Sequence, residues 1–144
     1  MMTLIDVAKS CLNYPYQWGG KNPLTGLDCS GLVEWCMVSV GFDPPGFNSA
    51  QMIHDWLIGG GKALGNGQSA GALCFYGKST NQITHVAMMI NEYQIIEAGG
   101  GDSTTTSVEI AKKQGACVRI RPFGHRKDLL VIVMPNYPEW VKTV

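Results

Sequence analysis

The sequence predicts an α+β domain in which N-terminal helices pack on a C-terminal antiparallel β-sheet. In the first part of the chain, apolar residues recur at helical spacing. Beyond residue 70 the apolar segments are short, rich in β-branched and aromatic residues, and bounded by turn residues. Helices followed by strands are typical of the α+β class. The length of 144 residues suits one ordinary domain, so we expect a single domain over residues 1–144.

The first helix is predicted from a capping box. Thr3 is followed three residues later by Asp6, and apolar residues then recur on one face, so the helix should run to about Asn13. The segment "YPYQWGGKNPLTG" is rich in Pro and Gly and predicts a loop. A second helix is predicted from Asp28, its N-cap, to Gly41, with "DPPG" closing the segment.

A third helix and five strands complete the predicted elements. Asn48 and Gln51 are candidate caps of the helix, and its buried face is expected to carry Met52, Ile53, Trp56 and Leu57. The segment "GGGKALGNGQSAG" then predicts a loop. The predicted strands are "GALCFYG", "THVAMMI", "YQIIEA", "ACVRIRPF" and "DLLVIVM".

Composition excludes several classes of function. Eleven basic residues balance eleven acidic ones, which argues against nucleic acid or an anionic membrane as a partner. No apolar run approaches the roughly 20 residues of a membrane-spanning helix, and "MMTLIDVAKSC" does not resemble a signal peptide. Five cysteines without a C-x-x-C pair predict neither a disulfide framework nor a zinc site, and most of them should be buried as small apolar residues.

Cys29 is the first candidate for chemistry. If Asp28 is the N-cap, Cys29 lies in the first helical turn, where unpaired N–H groups and the helix dipole favour a thiolate. The charge of Asp28 opposes this unless backbone donors occupy its carboxylate. Cys29 also shares an apolar face with Leu32 and Val33, so packing in the core is the alternative.

A nucleophilic cysteine needs a base, and the chain has three histidines. His54, beside Asp55, and His125, in a charged turn-like segment, are predicted on the surface. His85 instead begins an apolar strand, and Glu97 ends the next one. Buried imidazole and carboxylate groups both require polar partners, so we expect these two side chains to meet.

The loop between the two strands decides whether they can meet. A two-residue loop would turn His85 and Glu97 to opposite faces of the sheet. An odd loop, with Met89 opposite Tyr93, or a bulge near Asn91 would place His85 directly across from Glu97. Asn91 tolerates the left-handed conformation that such a loop usually needs. Cysteine, histidine and carboxylate would then form the nucleophile, base and orienting group of a papain-like hydrolase.

Several linked segments between about Tyr14 and Ala98 resemble the NlpC-type cysteine peptidases, papain-like endopeptidases that cut peptidoglycan stem peptides. "YQWGG" resembles their entry loop, "LDCSGLVEW" their nucleophile helix, "GALCFYG" the strand before the base, and "HVAMMI…IIEA" the base hairpin. The resemblance implies a papain-like fold, a peptidoglycan substrate and catalysis without a metal or an organic cofactor.

The resemblance also implies roles for individual residues. Cys29 is the nucleophile, His85 the general base, and Tyr16 donates to the oxyanion together with the Cys29 backbone N–H. The family's third polar residue is most often histidine, sometimes asparagine or glutamine, and here it is Glu97. We expect Glu97 to accept from Nδ1–H of His85 and to give a pH dependence that differs from other members.

Three more residues of the resembling segments are assigned to substrate binding. Asp28 and Ser30 match polar residues that in some members help recognise the free amine of the stem peptide. Trp18 is expected in the wall of the cleft, with packing in the core as the alternative.

Two other functions stay open at this stage. The same scaffold could serve an amidase or acyltransferase, or an inactive module that binds the cell wall or takes part in phage-tail assembly. Without a signal peptide, we expect synthesis in the cytoplasm and delivery to the wall by phage lysis, on a virion or by a dedicated secretion system. Phage tail proteins are then expected partners. A domain excised from a longer exported protein is the alternative.

Overall fold

The computed structural model describes residues 2–42, 46, 49–65 and 67–144. Within these ranges the chain forms four α-helices and eight β-strands. The helices are α1 (Leu4–Ser10), α2 (Cys29–Ser39), α3 (Ala50–Gly59) and α4 (Val108–Gln114). The strands are β1 (Lys21–Asn22), β2 (Gly26–Leu27), β3 (Ala63–Gly65), β4 (Leu73–Gly77), β5 (Ile83–Met89), β6 (Gln94–Gly99), β7 (Cys117–Pro122) and β8 (Leu129–Pro135).

Six of the strands form one antiparallel sheet in the order β3-β8-β4-β5-β6-β7. The short strands β1 and β2 pair with each other in a separate antiparallel ladder. Helices α2 and α3 contact β5, and α1 packs on α2. The predicted α+β architecture is therefore confirmed.

The core lies on both faces of the sheet. The larger cluster joins the helices to one face, with Leu32 and Ile53 packed near Phe75 and Val86. Side chains alternate along a strand, so Tyr76, next to Phe75, belongs to a smaller cluster on the opposite face. Each fully buried side chain of this size contributes about 1.5–3 kcal/mol of transfer free energy, which makes the larger cluster the main support of the helices.

The capping box of α1 is present as predicted. Thr3 Oγ1 accepts from Asp6 N–H and Asp6 Oδ2 accepts from Thr3 N–H, each at 3.1 Å. The predicted end at Asn13 is wrong, because the helix ends at Ser10. Asn13 adopts a left-handed conformation with φ of 70°, and its N–H donates to the Val118 carbonyl oxygen at 2.9 Å. The chain therefore turns towards β7 instead of adding another helical turn.

The segment that follows α1 is not entirely loop, since β1 and β2 lie within it. Helix α2 agrees with the prediction: Asp28 is its N-cap and Cys29 its first residue. It ends at Ser39, two residues before Gly41. Residues 43–45 of "DPPG" lie outside the described residues, and Gly46 alone of that motif is described.

The start of α3 differs from the prediction. Ser49 is the N-cap, with Oγ accepting from Met52 N–H at 3.2 Å, whereas the predicted cap Asn48 lies outside the described residues. Gln51 is not a cap, because its Oε1 accepts from Ile83 N–H at 2.8 Å and so ties α3 to the start of β5. Met52 is 43% exposed, so its placement on the buried face was wrong.

The five predicted strands are confirmed as β4 to β8, but β3 and α4 were missed in addition to β1 and β2. Residues 63–65, predicted as loop, form the edge strand β3 against β8. Helix α4 lies between β6 and β7, with Ser107 as its N-cap and Gly115 as a left-handed C-cap at φ 66°. Serine before a helix and glycine after it are ordinary boundary signals, so α4 could have been found.

Candidate active site

A cavity of about 450 Å³ lies where the N terminus of α2 meets the beginning of β5 and the end of β6. Its lining includes Tyr16, Cys29, His85, Glu97, Arg119 and His125. A second cavity, of about 260 Å³, shares Tyr16, Trp18 and Cys29 with the first and is also lined by Asp28 and Ser30. The structure thus brings all the sequence-predicted site residues into one connected region.

Asp28 fixes the backbone on which the cysteine lies. Its Oδ1 accepts from Gly31 N–H at 2.7 Å and from Ser30 Oγ at 3.2 Å, while Oδ2 accepts from Gly19 N–H at 3.1 Å. Burial raises the pKa of Asp28, and these hydrogen bonds oppose that rise. Donors occupy both carboxylate oxygens, which is the condition under which Asp28 is compatible with a thiolate at Cys29.

The entry loop is locked onto the first turn of α2 by close backbone contact. Asp28 N–H donates to the Gly20 carbonyl oxygen at 3.0 Å. A Cβ atom on Gly31 would overlap that same oxygen, so only glycine allows this approach. Gly19, with φ of 73°, supplies the left-handed residue that turns the loop. The position of Cys29 is therefore set by backbone geometry within a short stretch of chain.

The hairpin between β5 and β6 has an odd loop, as the contact between His85 and Glu97 required, but its details differ from the prediction. Met89 pairs with Ile95, not with Tyr93. Asn91 does not adopt the left-handed conformation, because Asn13 alone has positive φ among the described non-glycine residues. Instead Asn91 Oδ1 accepts from the N–H groups of Tyr93 at 2.8 Å and Gln94 at 2.9 Å.

This register places His85 and Glu97 on one face as diagonal neighbours, so the predicted position directly across the ladder is wrong. His85 Nε2 lies 2.9 Å from Glu97 Oε1. The prediction that Glu97 would bind Nδ1 was also wrong, because Nε2 makes this contact. Cys29 raises the pKa of His85 through hydrogen bonding and charge, and Nδ1 is the ring nitrogen that Glu97 leaves for it.

The contact between His85 and Glu97 shifts the pKa values of both groups towards their charged forms. Burial disfavours a charged imidazole, but hydrogen bonds and charge interactions with Cys29 and Glu97 outweigh it and raise the pKa of His85 to about 9. Burial would also raise the pKa of Glu97, yet its contacts with His85, Arg119 and His125 lower it. At neutral pH the site therefore contains an imidazolium held by a carboxylate.

Tyr16 lies beside the cysteine and is 5% exposed. Its N–H donates to the Ala116 carbonyl oxygen at 3.1 Å, and its ring lies against Gly101, where a Cβ atom would overlap it. Burial first, and then the nearby charges of Cys29 and Asp28, raise the pKa of the Tyr16 hydroxyl. The hydroxyl therefore stays protonated and able to donate.

The three residues assigned to substrate binding differ in exposure. Trp18 is 54% exposed and borders both cavities, so the alternative of core packing is wrong. Ser30 is 3% exposed and turns its hydroxyl to Asp28. Of the three, Trp18 offers the largest surface to a molecule entering the cleft.

Of the two histidines predicted on the surface, His54 is more enclosed than expected, whereas His125 is exposed as predicted. The His54 side chain is 12% exposed and packs edge-on against Phe75, with ring centroids 5.4 Å apart. His125 Nε2 lies 3.9 Å from Glu97 Oε2, at the side of the first cavity. Neither contact is encoded near the histidine in sequence, which is why local reasoning missed them.

Sequence reasoning also missed Arg119 and Arg126, which line the first cavity. Arg119 is the direct cross-strand partner of Glu97, and its Nε lies 3.7 Å from Glu97 Oε2. The alternation of "VRIR" in β7 indicated that two arginines share a face. It could not indicate that this face meets Glu97, because the pairing of β6 with β7 crosses the unrecognised helix α4.

All five cysteines are free thiols; Cys29 and Cys117 are half-buried and the other three are buried. Across the described ranges, no group of three or more His, Cys, Asp or Glu side chains is placed to hold a metal ion. None of the helices in the described part of the chain is long and apolar enough to cross a membrane.

Comparison with known proteins gives the family. The profile of the NlpC/P60 family matches residues 13–121. The chain is 40% identical over 90 residues to the bifunctional muramidase/DL-endopeptidase CwlT of Bacillus subtilis, covering 58% of this chain and 26% of CwlT. It is 30% identical over 121 residues to the peptidoglycan endopeptidase RipB of Mycobacterium tuberculosis, covering 76% of this chain and 47% of RipB.

The chain thus spans between about a quarter and a half of the length of these curated relatives. Among solved structures, RipD of M. tuberculosis, a non-catalytic NlpC/p60 domain protein adapted to peptidoglycan binding, superposes with a TM-score of 0.66. That alignment has 17% identity and covers 95% of this chain and all of RipD. By its sequence match and its fold, the chain belongs to the NlpC/P60 family.

Proposed function

We propose that this chain is a cysteine hydrolase that cleaves amide bonds in peptidoglycan stem peptides through a thioester. One observation carries the proposal: Cys29, His85 and Glu97, from α2, β5 and β6, converge in one cavity. His85 is hydrogen-bonded to Glu97 and interacts with Cys29, so the three residues can serve as the base, the orienting group and the nucleophile of such a reaction.

The reaction follows from these positions. In the reactive form the Cys29 proton is already on His85, so that a thiolate faces the imidazolium, and the thiolate attacks the scissile carbonyl carbon. The negative charge on the carbonyl oxygen is stabilised by the Cys29 N–H, which as the first of α2 has no intrahelical acceptor, and by the Tyr16 hydroxyl. The imidazolium protonates the leaving amine as the C–N bond breaks. Neutral His85 then takes a proton from water as the hydroxyl adds to the thioester carbon, and cleavage of the C–S bond regenerates the Cys29 thiolate beside the imidazolium.

The substrate class is inferred from the relatives and from the second cavity. CwlT and RipB carry endopeptidase names, and RipB is named for peptidoglycan. Asp28, in the wall of the second cavity, is proposed to attract the free ammonium of a stem peptide, with Ser30 fixing the carboxylate. Trp18 borders both cavities, and we propose that it forms a wall that the bound peptide contacts in each of them. No step requires a metal or an organic cofactor.

The test is product analysis with purified sacculi. Wild-type protein should release muropeptides with new termini, which mass spectrometry identifies, and Cys29→Ala should release none while keeping its Tm. Cys117→Ala is the matched control, since Cys117 is also half-buried but lies outside both cavities. Turnover that survives in Cys29→Ala would remove the mechanism.

A second candidate is wall binding without catalysis, which the similarity to RipD favours. The two differ in the reactivity of Cys29. An active enzyme should react with iodoacetamide at Cys29 near neutral pH, more slowly after His85→Ala. A binding module should co-sediment with sacculi and show no such dependence on His85.

Amidase and acyltransferase activity would appear in the same product spectra. An amidase would expose a different terminus, and an acyltransferase would attach the acyl group to an added amine. Delivery to the wall by a phage or a secretion system, and phage tail proteins as partners, stay predictions that depend on the family resemblance alone.

A further inference from the structure

Glu97 is a buried carboxylate with more than one partner. It is 2% exposed, and its Oε1 contacts His85. Its other oxygen, Oε2, lies 3.7 Å from Arg119 Nε and 3.9 Å from His125 Nε2. An ionised carboxylate removed from water is costly unless charge and hydrogen bonding compensate it. The groups around Oε2 therefore influence how firmly Oε1 faces the histidine.

We propose that Arg119 is a positioning residue, whose charge holds Oε2 of Glu97 so that Oε1 stays directed at His85. The β6–β7 register pairs Glu97 directly with Arg119, so the contact is fixed by the strand ladder and not by two flexible side chains on a surface. This inference rests on the proposed hydrolase function and adds a residue to its machinery.

The space for the carboxylate is built into the end of β6. A Cβ atom on Gly99 would lie 2.8 Å from Glu97 Oε2, so the glycine leaves room for that oxygen. The guanidinium of Arg119 lies beside it, with Nη2 3.4 Å from the same Cβ position, which is ordinary contact. Arg119 Nε is buried and has no hydrogen-bond partner in the described structure, so its charge is oriented mainly by Glu97.

A second arginine of the cavity, Arg126, is paired with a carboxylate other than Glu97. Arg126 donates to both oxygens of Asp128, at 2.9 and 2.8 Å, and its guanidinium lies 5.0 Å from the centre of the Tyr76 ring. His125 Nε2 lies 3.9 Å from Glu97 Oε2, and a histidine, unlike an arginine, is not a permanent cation. Arg119 is therefore the permanent positive charge paired with Glu97.

The groups that face Glu97 come from several elements. His85 of β5 bonds Oε1, Arg119 of β7 and His125 of the turn after it flank Oε2, and the Arg126 guanidinium and the neutral Tyr76 hydroxyl lie further away. Removing the charge of Arg119 should raise the pH at which Glu97 takes up a proton, because a protonated carboxyl no longer needs a cation.

Four variants test the proposal. Arg119→Gln and Arg119→Met remove the charge with a side chain of similar length, and Arg119→Lys keeps it. Arg121→Gln is the matched control, since Arg121 lies two residues along the same face of β7 and pairs with Ile95 instead of Glu97. Having two neutral variants keeps the test valid if one of them fails to fold.

The first readout is independent of turnover. We expect the ¹³C NMR titration of the Glu97 carboxyl to move up by roughly one pH unit in Arg119→Gln and Arg119→Met. Arg119→Lys and Arg121→Gln should titrate like the wild type. Because this measurement needs no substrate, it separates failure of the positioning role from failure of the hydrolase proposal. An unchanged Glu97 titration in a folded neutral variant would overturn the inference.

The second readout is kinetic. The neutral variants should lower kcat about tenfold with KM within about twofold, and the lysine variant should recover most of that loss. In a Glu97→Gln background, the further change Arg119→Gln should have little effect, because the carboxylate it positions is gone. Additive losses in that double variant, or a lysine variant as poor as the neutral ones, would show a merely structural role and contradict the proposal.

Discussion

The two sides of the cavity are built in different ways. The cysteine side, residues 16–31, is held by backbone groups: Asp28 N–H donates to the Gly20 carbonyl oxygen, and Gly31 leaves the space for that contact. The histidine side, formed by His85, Glu97 and Arg119, is held by charged side chains across three strands.

This difference determines which kinds of change should disrupt each side of the cavity. Backbone contacts at van der Waals distance respond to added atoms, because a packed loop has no room to yield. Buried charges respond to protonation and to the loss of a compensating partner. We therefore expect the cysteine side to be sensitive to small changes of volume, and the histidine side to be sensitive to pH and charge.

The largest expected effect is steric and falls on the cysteine side. Gly31→Ala places a methyl group onto the Gly20 carbonyl oxygen, so we expect a loss of about 3 kcal/mol in the free energy of unfolding and loss of hydrolysis. Gly59→Ala, in α3 with no atom within 4 Å of the new methyl group, should be neutral or stabilise by up to about 1 kcal/mol. Denaturant unfolding measures both, and equal behaviour of the two variants would contradict the steric account.

The next effect concerns the oxyanion. Tyr16→Phe removes one proposed donor, so kcat should fall roughly 100-fold, equivalent to about 2.7 kcal/mol of the barrier. The Tm should change little, since the ring still packs against Gly101. Tyr14→Phe, at a residue that is 39% exposed and outside both cavities, is the control. Equal kcat in the wild type and Tyr16→Phe would exclude this role.

Asp28 separates capping from substrate binding. Asp28→Ala should cost about 1 kcal/mol of stability, because Gly31 N–H and Gly19 N–H lose their acceptor. Asp28→Asn keeps an acceptor oxygen and should lose less stability, while raising KM for peptides with a free ammonium. Ser107→Ala, which removes the N-cap of α4, should lower Tm by a similar amount without changing KM. If KM is unchanged in Asp28→Asn, Asp28 caps the helix but does not bind the substrate.

The smallest expected effect is a pH dependence of stability on the histidine side. The folded pKa of His85 is raised from 6.5 to about 9, so its stabilisation is fully present below pH 6.5 and is lost as pH rises to 9. The pKa of Glu97 is lowered from 4.5, so its stabilisation is present above pH 4.5 and is lost as pH falls through the folded value.

The Tm difference between wild type and His85→Gln, of the order of several degrees, should therefore shrink from pH 6.5 to pH 9. His54→Gln is the control, because its Asp55 partner lies on the exposed side of α3, away from the cavity. A Tm difference for His85→Gln that stays constant over this range would refute the charge-based account of the histidine side.

The sequence predicted the elements that depend on neighbouring residues. The capping box at Thr3, the N-cap at Asp28 and the placement of Cys29 in the first helical turn were all confirmed. Their signals act over three or four residues. The missed helix α4 also had such signals, in Ser107 and Gly115, so its omission was an error of reading and not a limit of the sequence.

The sequence by itself thus determined the candidate residues for the proposed chemistry: a cysteine at a helix start, and a histidine and a glutamate that need partners in apolar strands. Only the tertiary structure decided how they meet: the hairpin register, the choice of Nε2 of His85 for Glu97, and the placement of Arg119 and His125 beside the carboxylate. A shift of two residues in the register of two paired strands keeps every apolar side chain on the buried face. The apolar pattern therefore determines the face on which a side chain lies, but not the residue it pairs with on the neighbouring strand.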